Sequence, residues 1–339
     1  MTNYTALKEF LSNPKKIIIL PHRKPDADAL GSCLALSAYL RKAGHTTTVI
    51  SPTDYPKFLF WMPGQKEVLI YENGKQNKAK KLIEEADLAF CLDFNELSRI
   101  EQLGELVAKA KLKKAVIDHH QGNIDFADYY LHDPKAAATA ELVYDFIQLD
   151  GGSQHLDKKI AECIYAGIMT DTGSFKFPST SSKIHRIIAD LMDLGINASR
   201  IHRLVYDTST ENRLRFLGYA LHQNLTFLPE FKTGYFALSK KELKEYKTET
   251  GDTEGLVNYA LSVKGIRLAA LFSEKEGFTK ISFRSVGDFS VAKLAAEHFN
   301  GGGHVNAAGG IYYKSLQETV DTFVKILEQY KEELHKSSE

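Results

Sequence analysis

The sequence predicts an α/β protein, and three features predict it. Short runs of β-branched and apolar residues recur at 17–20, 46–50, 68–71, 88–92 and 115–117. Segments of helical length separate them. Asp and His gather immediately after several of the runs. Strands of this kind, alternating with helices, build a parallel sheet covered on both faces.

Each element has its own reason. Residues 1–13 read as an amphipathic helix that stops near Pro14. IIIL at 17–20 is too short for a helix and reads as a buried strand. A polar loop follows, then helical character over 29–43 that ends at Gly44. TTTVI at 46–50 is a second strand, and 68–71, 88–92 and 115–117 repeat the pattern around helix-like segments at 75–85 and 101–111. The stretches 137–149, 156–169, 182–194, 197–206 and 210–224 read as helices. A second unit begins near 230. TGYFALS, IRLAALFSE and FTKISFRSV alternate as strands, GGIYYK follows a Gly-rich turn, and 315–336 is a closing amphipathic helix. The expected division is a domain over 1–195, a helical linker over 196–228 and a smaller α/β domain over 229–339.

Composition narrows the function. Lys plus Arg and Asp plus Glu are both 43, so the net charge is zero, which argues against a broad polycationic surface for duplex nucleic acid. Hydrophobic residues at 43% and charged residues at 25% are those of a folded globular chain. Cys33, Cys91 and Cys163 are far apart with no CxxC, so neither a disulfide framework nor a zinc knuckle is expected, and they read as small core fillers. No apolar run reaches the ~18–20 residues of a membrane span. The opening residues are polar where a secretory signal needs an apolar stretch. The expectation is a cytoplasmic protein with no membrane partner.

Ligands of open α/β sheets gather at the carboxyl ends of the strands. There the sequence places His22, Asp26 and Asp28 after the first strand, Asp93 after 88–92, and Asp118, His119 and His120 after 115–117. Asp171 ends the apolar helix CIYAGIMT. A lone Asp after a strand is usually a helix cap. This many carboxylates at one edge would repel one another unless cations neutralised them. Oxygen and imidazole ligands without thiolate favour Mn²⁺, then Mg²⁺ or Co²⁺, over a structural Zn²⁺. The set suffices for two ions, the usual clamp for in-line displacement at phosphorus.

Five motifs carry a family resemblance. HRKPDADALGS at 22–32, Asp93 in CLDFNELSRI, DHH at 118–120 and GIMTDTGSFKF at 167–177 resemble the four motifs of the DHH phosphoesterase superfamily. GGGHVNAAGG at 301–310, with SFRS at 282–285, resembles its DHH-associated C-terminal domain. Size and short linker are most similar to the nanoRNase/pAp-phosphatase branch. The resemblance implies two domains facing each other across a cleft. It implies one ion held by His22, Asp26 and Asp93, and a second held by Asp28, Asp93, His119 and Asp171, with Asp93 shared. By the same resemblance His120 contacts the phosphoryl oxygen or leaving group. Asp118 either orients a ligand imidazole or simply caps the strand end.

The second domain supplies recognition in this reading. Gly302 and Gly303 belong to a turn read as leading into a helix start, a cradle for an anion, and His304 adds a hydrogen bond. Arg284 can fork two bonds onto a phosphate. Arg99 is a weaker phosphate candidate, with a solvated role as its alternative, and Arg23 and Lys24 read as solvated. Tyr129–Tyr130 and Tyr312–Tyr313 read as ordinary strand residues rather than base stackers, and the tail KEELHKSSE as the solvated end of a helix. The expected activity is metal-dependent hydrolysis of short single-stranded oligoribonucleotides to mononucleotides, and of 3'-phosphoadenosine-5'-phosphate (pAp) to AMP. Alternatives are a linear dinucleotide phosphodiesterase, a polyphosphate or pyrophosphate hydrolase and a non-catalytic nucleotide sensor; a homodimer is compatible with any of them.

Overall fold

Burial of both sheet faces demands apolar strands joined by helical crossovers, and this is what the first half of the chain forms. The structure is a computed structural model that describes residues 2–249 and 251–336. It divides into two units between Thr208 and Ser209.

Unit 1 begins with α1 (Tyr4–Phe10), then β1 (Lys16–Pro21), α2 (Ala27–Lys42), β2 (Thr46–Ser51) and β3 (Leu69–Ile70). It continues through α3 (Gln76–Glu85), β4 (Leu88–Leu92), α4 (Glu101–Lys109), β5 (Lys113–Asp118) and β6 (Tyr129–His132). Helices α5 (Thr139–Leu149), α6 (Lys158–Asp171), α7 (Ser182–Asp193) and α8 (Ala198–Tyr206) complete it. The six strands pair in parallel in the order β3-β2-β1-β4-β5-β6. One sheet face buries Ile17, Ile19, Phe90 and Ile117 against α2, α5 and α6. The other buries Ile18, Leu20, Cys91 and Val116 against α3 and α4. All three cysteines are buried, as core fillers would be. Tyr129 packs into the first of these cores and Tyr130 against the second, so neither ring is offered to a ligand.

Unit 2 opens with α9 (Glu211–Tyr219), β7 (Leu225–Leu228), β8 (Thr233–Leu238), α10 (Lys240–Glu245) and α11 (Leu256–Leu261). Then come β9 (Leu268–Glu274), β10 (Thr279–Ser285), α12 (Val291–His298), β11 (Gly302–His304), β12 (Ala307–Tyr312) and α13 (Leu316–Lys336). Its sheet runs β11-β12-β10-β9-β8-β7, with β8 and β9 parallel and the other pairs antiparallel. Strand β9 is buried on both faces, while β10 alternates, sending Ile281 and Phe283 to the core and Lys280, Ser282 and Arg284 to the other side.

The helix expected over 210–224 is present, α-helical over Glu211–Tyr219 and π-helical over Ala220–Asn224. The widening to π geometry in its last turn precedes Leu225, which pairs with Phe236 in the sheet. The structure departs from the sequence reading elsewhere. The run 301–310 does not lead into a helix. It folds into the β11–β12 hairpin, since Ala307 to Tyr312 all find partners on β10. The tail is not wholly solvated: Leu334 is buried, and residues 337–339 lie outside the described residues.

Glu242 joins α10 to the end of the preceding helix. Its carboxylate accepts from Ser239 N at 2.7 Å, Ser239 Oγ at 2.6 Å, Tyr219 Oη at 2.7 Å and Asn224 Nδ2 at 2.8 Å. Burial pushes this carboxyl up, but the hydrogen bonds outweigh burial and lower it from 4.5 to about 2. A folded value below the unfolded one means stability that is present above pH 4.5 and lost as pH falls towards 2. Glu242→Gln should therefore flatten the acid branch of unit 2's melting curve between those values. An unchanged slope in acid thermal scans would show that the four bonds do not carry it.

Candidate metal centre

The strand order reverses between β1 and β4, and that reversal creates a crevice at the carboxyl ends of the strands. Pro21 stands opposite Leu92, so the next residues, His22 and Asp93, leave neighbouring strands side by side. Leu92 stands opposite Ile117, and Asp93 N donates to Ile117 O at 3.0 Å, which brings Asp118 to the same edge. Asp93 itself adopts a left-handed φ of 66°, a conformation that Asp tolerates better than most residues and one found at functional sites.

Asp93 is the hub. Its Oδ2 lies 3.3 Å from His22 Nε2, while its Oδ1 lies 3.5 Å from His119 Nε2 and 3.6 Å from His120 Nδ1. His119 Nε2 is also 3.3 Å from Asp171 Oδ2 and 3.9 Å from Asp28 Oδ2. Ligand atoms of His22, Asp26 and Asp93 lie within 4.8 Å of one another, and so do those of Asp28, His119 and Asp171. His22 Nδ1 donates to Arg23 O at 2.8 Å and His119 Nδ1 donates to Ala136 O at 3.1 Å. Those bonds fix the ring orientation and leave each Nε2 facing the carboxylates.

The other members are placed by helix ends. Asp26 caps α2, its Oδ1 accepting from Asp28 N and Ala29 N, both at 3.0 Å. Asp28 is fully buried and accepts from Thr139 N at 2.7 Å and Ala140 N at 2.9 Å, the first amides of α5. Gly167 of α6 makes room for it, because a Cβ there would stand 2.7 Å from Asp28 Oδ1. Asp118 Oδ1 accepts from His120 Nδ1 at 2.8 Å. The imidazole that Asp118 orients is thus His120, not His119, since His119 Nδ1 is already taken by Ala136 O.

The charges are under stress. Burial raises Asp28 well above the usual carboxylate range, and Asp93 and Asp171 raise it further. Burial of its carboxyl end, then Asp171 and Asp93, push Asp26 up to about 6, although the residue as a whole is exposed. Burial would also raise Asp93, but His22, His120 and His119 overcome it and hold Asp93 well below the usual range. Burial opposes charge on the imidazoles. Asp171, Asp93 and Asp28 overcome it and raise His119 to about 11, and Asp93 with Asp26 raises His22 to about 9. Protons on two imidazoles thus offset the buried carboxylates, and Asp118 Oδ2 is buried with no hydrogen-bond partner. A crowded oxygen and imidazole set without thiolate fits divalent cations, which would replace those protons.

Thr139 escaped the sequence reading. Its hydroxyl donates to Asp93 Oδ1 at 2.8 Å. The available signal was Thr-Ala-Glu at the start of a predicted helix, where free amides attract anions.

On unit 2, Arg284 of β10 and His304 of β11 both pair with Ala307 of β12, so the three share one row on one sheet face. Ser282, Gly309 and Gly302 form the next row, bare of large side chains. Gly303 has a φ of 149°, and a Cβ there would meet Ala307 O at 2.4 Å. Gly303 is therefore required by close strand approach, whereas a Cβ on Gly302 would meet nothing within 4 Å. Arg99 is exposed on a short turn, and its carbonyl accepts from Arg23 N at 2.9 Å. Arg23 pairs with Glu101 at 3.1 Å. Tyr313 is 70% exposed beside Phe278, while Tyr312 packs on the core.

A carboxylate and imidazole centre at the switch point of a doubly wound sheet, joined to a second α/β unit carrying an Arg and His row, defines a phosphoester hydrolase. The chain belongs to the DHH family: the sequence pattern of the "DHH family, N-terminal domain" matches residues 16–168, and that of the "DHHA1 domain" matches residues 234–333. It is 31% identical to the bifunctional oligoribonuclease and PAP phosphatase NrnA of Thermus thermophilus, over 94% of this chain and 90% of that protein. It is 29% identical to the protein of the same name from Bacillus subtilis, over 91% of this chain and 93% of that one. The crystal structure of an exopolyphosphatase-related protein from Bacteroides fragilis superposes with a TM-score of 0.93 at 40% identity, covering 98% of this chain and 97% of that one. Among the described residues no helix is long and apolar enough to cross a membrane.

Proposed function

We propose that this chain hydrolyses short oligoribonucleotides to mononucleotides and pAp to AMP, using two divalent cations, with Mn²⁺ the best fit. The observation that carries the metal part is the division of Asp93. One oxygen faces His22 and the other faces His119 and His120, so one carboxylate serves two ligand groups. His22, Asp26 and Asp93 would hold one ion, and Asp28, Asp93, His119 and Asp171 the other. Ions at such a centre supply Lewis acidity toward the phosphoryl oxygens and the attacking water. His120 is held by Asp118 through Nδ1, and in this reading the ring so positioned meets a phosphoryl oxygen or the leaving group. The substrate part is supported by the names of the two relatives and by the Arg284–Ala307–His304 row, whose guanidinium can fork onto a phosphate.

The test is a product assay. Mn²⁺-loaded protein is offered pAp, a ribodinucleotide, a long single strand, pyrophosphate and polyphosphate. AMP from pAp and mononucleotides from the dinucleotide are expected to dominate. Turnover confined to pyrophosphate or polyphosphate would replace this reading with the phosphoanhydride one, and no turnover of any substrate would favour a sensor.

Recognition is separable from chemistry. Arg284→Ala should leave metal content intact and cut kcat/KM for nucleotides by about 1.5–3 kcal/mol, a loss of roughly 10- to 150-fold, mainly through KM. A small ester such as bis-p-nitrophenyl phosphate has little for Arg284 to grip and should lose far less. Equal losses on both substrates in a stable, metal-replete preparation would remove Arg284 from the substrate site.

A further inference from the structure

The turn that leads into α5, together with the helix's first two residues, touches three of the proposed ligands, and none of these residues belongs to the ligand set. Thr139 is fully buried, and its Oγ1 donates to Asp93 Oδ1 at 2.8 Å. Its own amide and that of Ala140 donate to the two oxygens of Asp28 at 2.7 and 2.9 Å. Ala136 O accepts from His119 Nδ1 at 3.1 Å. The turn is itself pinned. Ala137 N donates to Glu141 Oε2 at 2.8 Å, and Glu141, 5% exposed, pairs through Oε1 with Lys183 of α7 at 2.8 Å.

A carboxylate on Cβ rotates through a broad torsional well, so burial alone does not decide which oxygen faces which neighbour. For Asp93 that decision matters, because its two oxygens face different imidazoles. The Thr139 hydroxyl marks one of them. It can donate only one hydrogen, and it spends that hydrogen on Oδ1, the oxygen on the His119 and His120 side. We propose that Thr139 is a positioning residue that sets the rotation of Asp93, and that the 136–140 turn orients Asp28 and His119 in the same act. The proposal rests on the two-cation reading above. Thr139 touches no substrate in this account; it acts through Asp93.

A hydroxyl that merely satisfied the fold would affect melting and not ion affinity. Calorimetric Mn²⁺ titration of apo protein separates the two, with wild type, Thr139→Val and Thr139→Ser compared and melting temperatures recorded on the same samples. Loss of an outer partner of a metal ligand typically weakens binding 10- to 100-fold, and Thr139→Val should show a loss of that order. Thr139→Ser keeps the hydroxyl and should regain most of the affinity. Should the Val variant not fold, Thr139→Ala replaces it, since it removes the hydroxyl without adding a methyl. Wild-type affinity in a hydroxyl-free variant would overturn the proposal, and so would a Ser variant as weak as Val. Wild-type protein that takes up no Mn²⁺ would instead defeat the metal reading on which the proposal stands.

Discussion

Asp93→Asn should lower turnover by roughly three orders of magnitude or more in a protein that still folds. Asn has the shape of Asp and tolerates the left-handed φ of 66° that this position requires, so the backbone after β4 should survive. What is lost is charge. Among the described residues Asp93 is the carboxylate close to His22, His119 and His120 together, and the imidazoles keep it ionised despite burial. An amide there presents N–H to one side of the centre, where a ligand oxygen is needed. Both proposed ligand groups share the residue, so both should weaken at once. Elemental analysis should show metal uptake reduced for both ions, and the metal-free variant should still melt cooperatively, below the metal-free wild type because His22 and His119 lose the carboxylate that supports their charge. A variant that binds two equivalents and turns over at a near-normal rate would mean that Asp93 does not bridge.

Much of this architecture was legible because burial writes itself into composition. A strand covered on both faces must be apolar throughout, and IIIL and LAFCL cannot be much else. The His and Asp residues that follow such strands stand out because charge has no other reason to cluster there. Strand order was not legible. That β1 lies beside β4 comes from tertiary packing, and only this adjacency brings His22 against Asp93, 71 residues later in the chain. Thr139 was missed for the same reason. A neutral hydroxyl carries no signal of its own, and its partner lies 46 residues away. The glycine run at 301–303 was misjudged because glycine permits many backbone conformations without selecting one. Pairing with β12 and, through it, β10 selected the extended one.

Removing divalent cations should abolish turnover and also loosen unit 1. Asp28, Asp93 and Asp118 are almost wholly buried in the same small volume. In the metal-free chain they lean on the Thr139 and Ala140 donors and on imidazole protons that burial itself disfavours. Cations that bind the folded centre and not the unfolded chain stabilise by mass action, by about 2.7 kcal/mol when free metal is 100 times the dissociation constant. For a unit of 208 residues that corresponds to a rise in melting temperature of roughly 5–10 °C, at about 2–4 °C per kcal/mol. The rise should belong to the transition of unit 1, because the proposed ligands all lie before Thr208. Mn²⁺ should restore turnover at least as well as Mg²⁺, since imidazole is a better partner for Mn²⁺ than for the harder, more strongly hydrated ion. Calorimetric scans and rate assays on one chelated and reloaded preparation test both halves together. Full activity in excess chelator, with no metal found in the protein, would leave the buried carboxylates without the partner that their crowding requires and would end the two-cation account.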